Sequence, residues 1–254
     1  MTTSEAAVVP SLSRRLFAEF LGTAMLVAIV VGSGIAAQSL SPNDVGLQLL
    51  ENSIATTLGL AVLIVVLAPV SGAHFNPVVS LADWFLGRRH AHGLTLPAAG
   101  AYIVAQVAGG IAGGVLANLM FDIPTTISTK ERIGTGLFVA EIVATAGLVA
   151  VIFALVRTGR AATLAGPAVG AYIGAAYWFT SSTSFANPAV TIGRIFSDTF
   201  AGISPGSAMA FIAAQLVGLA GGVVVTLALY PDVSATVDDV VLPHPDPLDN
   251  RRNP

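Results

Sequence analysis

The sequence predicts an all-α membrane protein in which six membrane-spanning helices are combined with two half-length helices. The first observation is composition: 54% of the 254 residues are hydrophobic, 10% are charged, and the mean hydropathy is +0.81. A soluble domain usually carries about 25% charged residues, so these values indicate a chain surrounded by lipid. The second observation is a short Asn-Pro phrase that occurs twice, each time after a long apolar segment.

Six apolar stretches are long enough to cross the hydrocarbon core, which takes about 20 helical residues. They cover residues 16–37, 50–70, 98–121, 133–156, 161–180 and 207–230. The first stretch has no small-residue cleavage site after a short apolar region, so it is interpreted as a membrane helix and not as a secretory signal. The chain contains no cysteine, which excludes disulfides, thiolate metal sites and thiol catalysis.

The two Asn-Pro phrases predict short helices that begin inside the membrane. The first phrase reads SGAHFNPVV over residues 71–79, and the second reads SFANPAV over residues 184–190. Asn caps the free N–H groups of a helix and Pro fits its first position, so helices should start after Asn76 and Asn187. About ten mostly apolar residues follow each Asn, and they rise about 15 Å, which is half of the hydrocarbon core. Two half-helices indicate a pore or a binding site at the midplane.

An internal repeat extends beyond these phrases. The segment IVAQVAGGIAGG at 103–114 corresponds to IAAQLVGLAGG at 212–222, and Glu19 corresponds to Glu141. Three spans per half is an odd number, so the halves insert with opposite topology and their broken helices meet at the bilayer centre. Pairs of glycines with small-xxx-small spacing allow close helix packing. These pairs are Gly109/Gly113, Gly110/Gly114 and Gly218/Gly222.

The basic residues predict the orientation of the chain. Eight arginines should lie on one side of the membrane: Arg14, Arg15, Arg88, Arg89, Arg157, Arg160, Arg251 and Arg252. Three basic residues should lie on the other side: Lys130, Arg132 and Arg194. The excess places both termini in the cytoplasm, and a bacterial plasma membrane is the expected location.

The domain organisation follows from the same pattern. We expect a cytoplasmic segment at 1–13 and a membrane domain at 14–230, whose repeats cover 14–121 and 133–230. Residues 231–254 are rich in Asp and Pro and lack a periodic apolar pattern, so they are predicted to form a disordered cytoplasmic tail.

Non-helical backbone just before each half-helix is tolerated within a membrane only where its carbonyls line a wet cavity. Those carbonyls would replace water around a neutral, hydrogen-bonding solute. Two facing helix N-termini, each with about half a positive charge, would form a barrier to cations and protons. The alternative is that both Asn residues only cap buried half-helices. The predicted lining carbonyls belong to Gly72, Ala73, His74, Ser184, Phe185 and Ala186.

These features together resemble the aquaporin and aquaglyceroporin family, the major intrinsic proteins. The resemblance covers roughly residues 14–230 and rests on the Asn-Pro half-helices, the Ser-Gly-Ala-His lead-in, the Ala-Gln-x-x-Gly helices and the paired glutamates. It implies a passive, non-enzymatic channel for water and small uncharged solutes, usually a homotetramer with one pore per subunit. It implies no cofactor, metal or nucleic acid. Asn76 and Asn187 would stand at the pore centre and donate their amides to the passing solute.

The selectivity filter departs from the usual pattern of this family. Most relatives place an arginine directly after the second Asn-Pro-Ala, where this chain has Val190. An aromatic residue of the second span is replaced by Thr56, and the fifth-span position falls on Ala175, although a shift of one residue within 174–182 would move it. Ser184 completes the set. The predicted filter is uncharged and wide.

A wide filter with two hydroxyls suits glycerol-like polyols and metalloid hydroxides such as arsenous acid. In addition, residues 187–205 resemble the second half-helix of bacterial aquaporins associated with arsenic resistance. The alternative within the family is a water-selective aquaporin. Val78, where the first phrase usually has Ala, is expected to have little consequence for mechanism.

Two other classes of protein, a coupled transporter and a membrane enzyme, would each need ionisable or metal-binding residues within the spans. A proton-coupled secondary transporter would use Glu19 and Glu141, because ionisable groups in spans are commonly functional. In the family that the chain resembles, these residues more often brace the re-entrant loops, and His74 is interpreted as a packing or loop-bracing residue. A membrane enzyme would need a nucleophile or a metal, and the histidines are not spaced with carboxylates to hold one: His74, His90, His92 and His244.

Arg194 lies four residues beyond Val190, on nearly the same helical face and one turn nearer the predicted extracellular mouth. One hypothesis is that Arg194 moves the missing filter charge outward and repels cations. The favoured alternative is an outer-surface arginine that snorkels and pairs with Asp198.

Overall fold

The computed structural model describes residues 10–88 and 93–230. The predicted tail at 231–254, most of the predicted N-terminal segment, and three of the arginines used for orientation (Arg89, Arg251 and Arg252) lie outside the described residues. In the described part, six long helices alternate with two short ones. The long helices are α1 (Leu12–Leu40), α2 (Val45–Ser71), α4 (Leu96–Met120), α5 (Thr135–Arg157), α6 (Ala161–Phe179) and α8 (Pro205–Leu229), and the short ones are α3 (Pro77–Gly87) and α7 (Pro188–Gly193).

The six predicted spans and both half-helices are present as helices. Five of the long helices are apolar enough to cross a membrane by length and hydropathy alone. The sixth, α6, has 19 residues and is rich in Ala and Gly, which lowers its hydropathy but leaves it about 29 Å long. The second half-helix is shorter than the expected ten residues, because α7 ends at Gly193 and a 3₁₀ turn, Arg194–Phe196, replaces its last part.

The helices pack as two similar halves. In the first half α1 lies against α2 and α4, and in the second half α5 lies against α6 and α8. The halves meet through α2 with α6, and the short helices cross the division: α7 packs mainly on α4, while α3 contacts both α4 and α8. This arrangement brings the N-termini of α3 and α7 together in the middle of the molecule.

Glycines on α4 and α8 set the distance between neighbouring backbones. A Cβ at Gly113 would lie 2.1 Å from the carbonyl oxygen of Ala24 on α1, and one at Gly110 would lie 2.5 Å from that of Ala189 on α7. A Cβ at Gly222 would likewise lie 2.7 Å from the Ala146 carbonyl oxygen on α5. Small residues let helix backbones approach this closely in membranes.

Replacing Gly113 with Ala should strongly destabilise the fold, because the obstructing atom belongs to the backbone of α1 and cannot rotate away. A matched control is Gly100→Ala in the same helix, where a Cβ meets nothing within 4 Å. Helix propensity alone favours Ala over Gly by about 1 kcal/mol, so the control should be neutral or slightly stabilising. Melting temperatures of the purified variants in detergent would test this, and equal melting of both would refute the close-packing argument.

Candidate functional site

The two loops before the half-helices share an unusual backbone conformation. Ala73 and Phe75 have φ of 51° and 49°, and Ser184 and Ala186 have φ of 50° and 46°. These residues stand three and one positions before Asn76 and Asn187, so the repeat extends to individual torsion angles. Positive φ is uncommon for residues with a side chain and stores strain that the surroundings must offset.

Each Asn caps its own half-helix and also reaches across to the other half. The side-chain oxygen of Asn76 accepts from the backbone N–H of Val78, and that of Asn187 accepts from the N–H of Ala189. Asn76 Nδ2 donates to the Ala186 carbonyl, and Asn187 Nδ2 donates to the Phe75 carbonyl, both over 2.8 Å. One N–H of each amide has no partner among the described residues and remains for the cavity.

The strained loop of the first half is held by Glu19, a fully buried residue of α1. Its carboxylate accepts from the backbone N–H groups of His74 and Phe75 over 3.0 and 2.7 Å. It also accepts from Ser71 Oγ over 2.6 Å and from Gln106 Nε2 over 2.7 Å. The carboxylate therefore satisfies two backbone donors that the strained loop leaves without other partners.

Glu141 of α5 does the same for the second loop. It accepts from the N–H groups of Phe185 and Ala186, both over 2.9 Å, and from Gln215 Nε2 over 2.7 Å. Gln215 also donates to Thr191 Oγ1, just as Gln106 donates to Ser80 Oγ. Both networks are built from residues that the sequence repeat pairs, and neither glutamate lines the central cavity.

A narrow cavity runs between the two halves, with about 80 Å³ open to the centres of water-sized molecules. It follows α6 from Ala165 to Tyr177, a rise of about 18 Å. One wall is aliphatic and includes Leu60 and Ile64 of α2. The opposite wall is polar, and it is formed by the two loops and by Asn76 and Asn187 at the point where the half-helices meet.

Three of the four predicted filter residues line one end of this cavity, which we call the outer mouth. They are Thr56, Ser184 and Val190, each buried. Ala175 does not join them, so its assignment is wrong. It is exposed on the outside of α6 and lines a lateral groove with Trp178.

The α6 position that faces the outer mouth is Tyr177. Its hydroxyl lies 3.1 Å from Thr56 Oγ1, across the cavity wall. Val169, Ile173 and Tyr177 are all buried and are spaced four residues apart. Tyr177 could therefore have been found from the helical period of the buried residues in α6. Counting residues back from Asn187 does not find it, because a turn lies between α6 and Asn187.

Residues from both loops line the cavity. Gly72, Ala73 and His74 line the cavity in the first loop, and Ser184 and Phe185 line it in the second. Ala186 is not among the lining residues. His74 contacts Ser80 through Nδ1, 3.1 Å from Ser80 Oγ, and its ring packs near Tyr102.

The favoured interpretation of Arg194 as a surface residue paired with Asp198 is wrong. Arg194 is 3% exposed and lines the outer mouth. Its guanidinium lies 3.5 Å from the ring centroid of Phe185, and Nε donates to the Ala201 carbonyl. Asp198 instead accepts from the backbone N–H and hydroxyl of Thr129, and these hydrogen bonds lower the pKa of its carboxyl.

A membrane-embedded cavity bounded by two inward-facing half-helices, with polar groups on one wall, defines a membrane channel. Residues 6–184 match the family described as Major intrinsic protein. The chain is 53% identical to aquaglyceroporin AqpS of Rhizobium meliloti over 209 residues, which are 82% of this chain and 86% of that protein. It is 35% identical to a glycerol uptake facilitator protein of Pseudomonas aeruginosa over 63% of this chain and 62% of that protein.

A similar fold occurs in the X-ray structure of the aquaglyceroporin from Plasmodium falciparum. The TM-score is 0.64 at 23% sequence identity, over 88% of this chain and 97% of that chain. The chain therefore belongs to the major intrinsic protein family, and it is a passive membrane channel for water and small uncharged solutes. The fold class predicted from the sequence, six spans with two re-entrant half-helices, is confirmed.

Proposed function

We propose that this channel conducts glycerol-like polyols and neutral metalloid hydroxides, arsenous acid among them, as well as water. The observation that carries the proposal is Val190, an uncharged side chain that lines the outer mouth at the position directly after the second Asn-Pro-Ala. A guanidinium at this position would narrow the mouth and occupy hydrogen-bond acceptors. With Val190 there, a solute larger than water has room to enter.

The two chemically different walls also support this solute class. A polyol presents hydroxyls on one side and carbon on the other, so it can lie with its carbons on the aliphatic wall and its hydroxyls toward the loop carbonyls. Hydrogen bonds to the carbonyls and to the Asn amides would replace those lost to water, which keeps the barrier low. Thr56, Tyr177 and Ser184 supply further hydroxyls at the outer mouth.

A coupled transporter is disfavoured by the position of the buried carboxylates. Glu19 and Glu141 are both 0% exposed, and each accepts at least three hydrogen bonds from the loops and the neighbouring helices. A proton-coupling group must exchange protons with water on alternating sides of the membrane. Carboxylates held in this way support bracing of the loops, with Asn76 and Asn187 acting as donors at the pore centre.

The same proposal includes a homotetramer in a bacterial plasma membrane, with both termini in the cytoplasm. Several long helices expose apolar side chains on their outer faces, including Leu58, Val62 and Val65 on α2. Such faces are covered either by lipid or by neighbouring subunits. The mass of the detergent-solubilised assembly, corrected for bound detergent, would test the tetramer.

The proposed solute class is tested by reconstituting the chain in liposomes and following light scattering after osmotic steps. Water, glycerol and arsenous acid should each equilibrate at least about tenfold faster than in protein-free liposomes, equivalent to a barrier lowered by about 1.4 kcal/mol. Fast water flux with glycerol and arsenous acid at background would instead indicate a water-selective channel. Saturable uptake that follows a proton gradient would indicate a transporter.

A further inference from the structure

Arg194 is a buried cation outside the predicted filter set, and the sequence left open the hypothesis that it carries the missing filter charge. Among the cavity-lining residues in the described part of the chain, it alone carries a guanidinium or ammonium group. Burying a charge is costly unless it is paired. No carboxylate within the described residues forms an ion pair with Arg194, so the arrangement needs another explanation.

The side chain is fixed in place without being neutralised. Nε donates to the Ala201 carbonyl, and the guanidinium plane lies over the ring of Phe185. A cation over an aromatic face is stabilised electrostatically but keeps its full charge. The terminal N–H groups make no hydrogen bond to any described residue, so they are available to the cavity.

Neighbouring cations hold the loop that carries this acceptor. Lys130 Nζ donates to the Phe200 carbonyl over 2.8 Å, and Arg132 Nε donates to the Gly202 carbonyl over 3.0 Å. Burial, followed by the charges of Arg132 and Arg194, lowers the pKa of Lys130 to about 8. The outer mouth is therefore a region of positive potential, and Arg194 is the member of this group that reaches the cavity.

Ser184 lines the cavity at the same level. It is 4% exposed, and its hydroxyl oxygen is buried and has no hydrogen-bond partner among the described residues. The N–H groups of the Arg194 guanidinium match the acceptor oxygens of a neutral solute that carries hydroxyl groups. A cation at this point would meet the guanidinium charge in a region of low dielectric.

We propose that Arg194 is the specificity-determining residue that excludes cations from this pore while donating hydrogen bonds to neutral hydroxylated solutes. The charge thus comes from the turn after the second half-helix, where the guanidinium lies over Phe185, while Val190 leaves the position directly after Ala189 uncharged. This inference rests on the proposed function, because it takes the cavity as the path of neutral solutes. It adds the residue that keeps this path closed to cations.

The test compares variants that separate charge from shape. Arg194→Gln and Arg194→Met remove the charge, and Arg194→Lys keeps it. Arg160→Gln is the matched control, because Arg160 is exposed at the start of α6, at the opposite end of that helix from Tyr177, and does not line the cavity. Liposomes containing each variant would be loaded with a pH-sensitive dye, and proton and sodium flux would be measured beside water and glycerol flux.

Proton or sodium flux should rise at least about tenfold in Arg194→Gln and Arg194→Met, since one unit charge close to the path changes the barrier by more than about 1.4 kcal/mol. Arg194→Lys and Arg160→Gln should stay near the native chain. The proposal is overturned if an uncharged variant conducts water but no more cation than the native chain, or if Arg194→Lys leaks as much as Arg194→Gln. Native liposomes that pass water but not glycerol would overturn the proposed function, while the cation comparison would still report on Arg194.

Discussion

The Val190→Arg channel should pass water but almost no glycerol. Val190 lines the outer mouth together with Thr56 and Ser184 and is 5% exposed, so an arginine side chain placed there must extend into the solute path. The longer side chain takes up space that a solute larger than water needs. We expect glycerol flux to fall at least about tenfold, which corresponds to about 1.4 kcal/mol of added barrier.

Water flux in the same liposomes is the internal check on this variant. The backbone N–H of Val190 bonds to Asn187, and this cap does not depend on the side chain, so the half-helix should still form. Val190→Ala, which shortens the same side chain, should retain glycerol flux. Unchanged glycerol flux in Val190→Arg would show that the filter lies elsewhere.

Glu19→Gln is expected to cause the largest loss of stability. Each carboxylate oxygen of Glu19 accepts two hydrogen bonds, and glutamine replaces one of these oxygens with a donor. If the amide nitrogen takes the position of Oε1, the backbone N–H of His74 loses its acceptor, whereas the Ser71 hydroxyl can rotate and accept instead. If it takes the position of Oε2, the backbone N–H of Phe75 loses its acceptor. An unsatisfied buried donor costs about 1–3 kcal/mol, which is the expected loss. The melting temperature in detergent should fall sharply.

The control for this change is Glu131→Gln, the same substitution at an exposed loop position. It should leave the melting temperature unchanged. Glu141→Gln should behave like Glu19→Gln, because Glu141 accepts from the corresponding backbone groups of the second loop. If Glu19→Gln melted with the native chain, the loop would not depend on this carboxylate, and the strain at Ala73 and Phe75 would need another source of stabilisation.

The parts of the structure that depend on local signals and on the internal repeat could be predicted from the sequence. Asn followed by Pro determines where a helix starts, so the positions of α3 and α7 could be read directly. The paired glutamates and glutamines could be found because the two halves carry the same residues at corresponding positions. Two of these pairs, Glu19 with Gln106 and Glu141 with Gln215, are in contact in the structure.

The outer mouth was harder to predict because it depends on how non-helical segments turn. The distance from Asn187 back to α6 passes through residues 180–186, where three side-chain-bearing residues have positive φ. Counting residues along such a loop does not show which α6 residue faces the cavity. The fifth-span filter position was therefore assigned to Ala175, although Tyr177 is the residue that lines the outer mouth. Arg194 was misjudged for a related reason. The 3₁₀ turn after α7 changes the direction of that side chain from what a continuous α-helix would give.

The reciprocal bonds between Asn76 and Ala186 and between Asn187 and Phe75 have a kinetic consequence. They tie the two halves together at the level where the half-helices meet, and each half supplies both a donor and an acceptor. A protein that works by alternating access must separate its halves at this level in every cycle. Here nothing has to move for a solute to cross, so net flux should scale linearly with the concentration difference and should show only the weak temperature dependence of diffusion through a fixed opening.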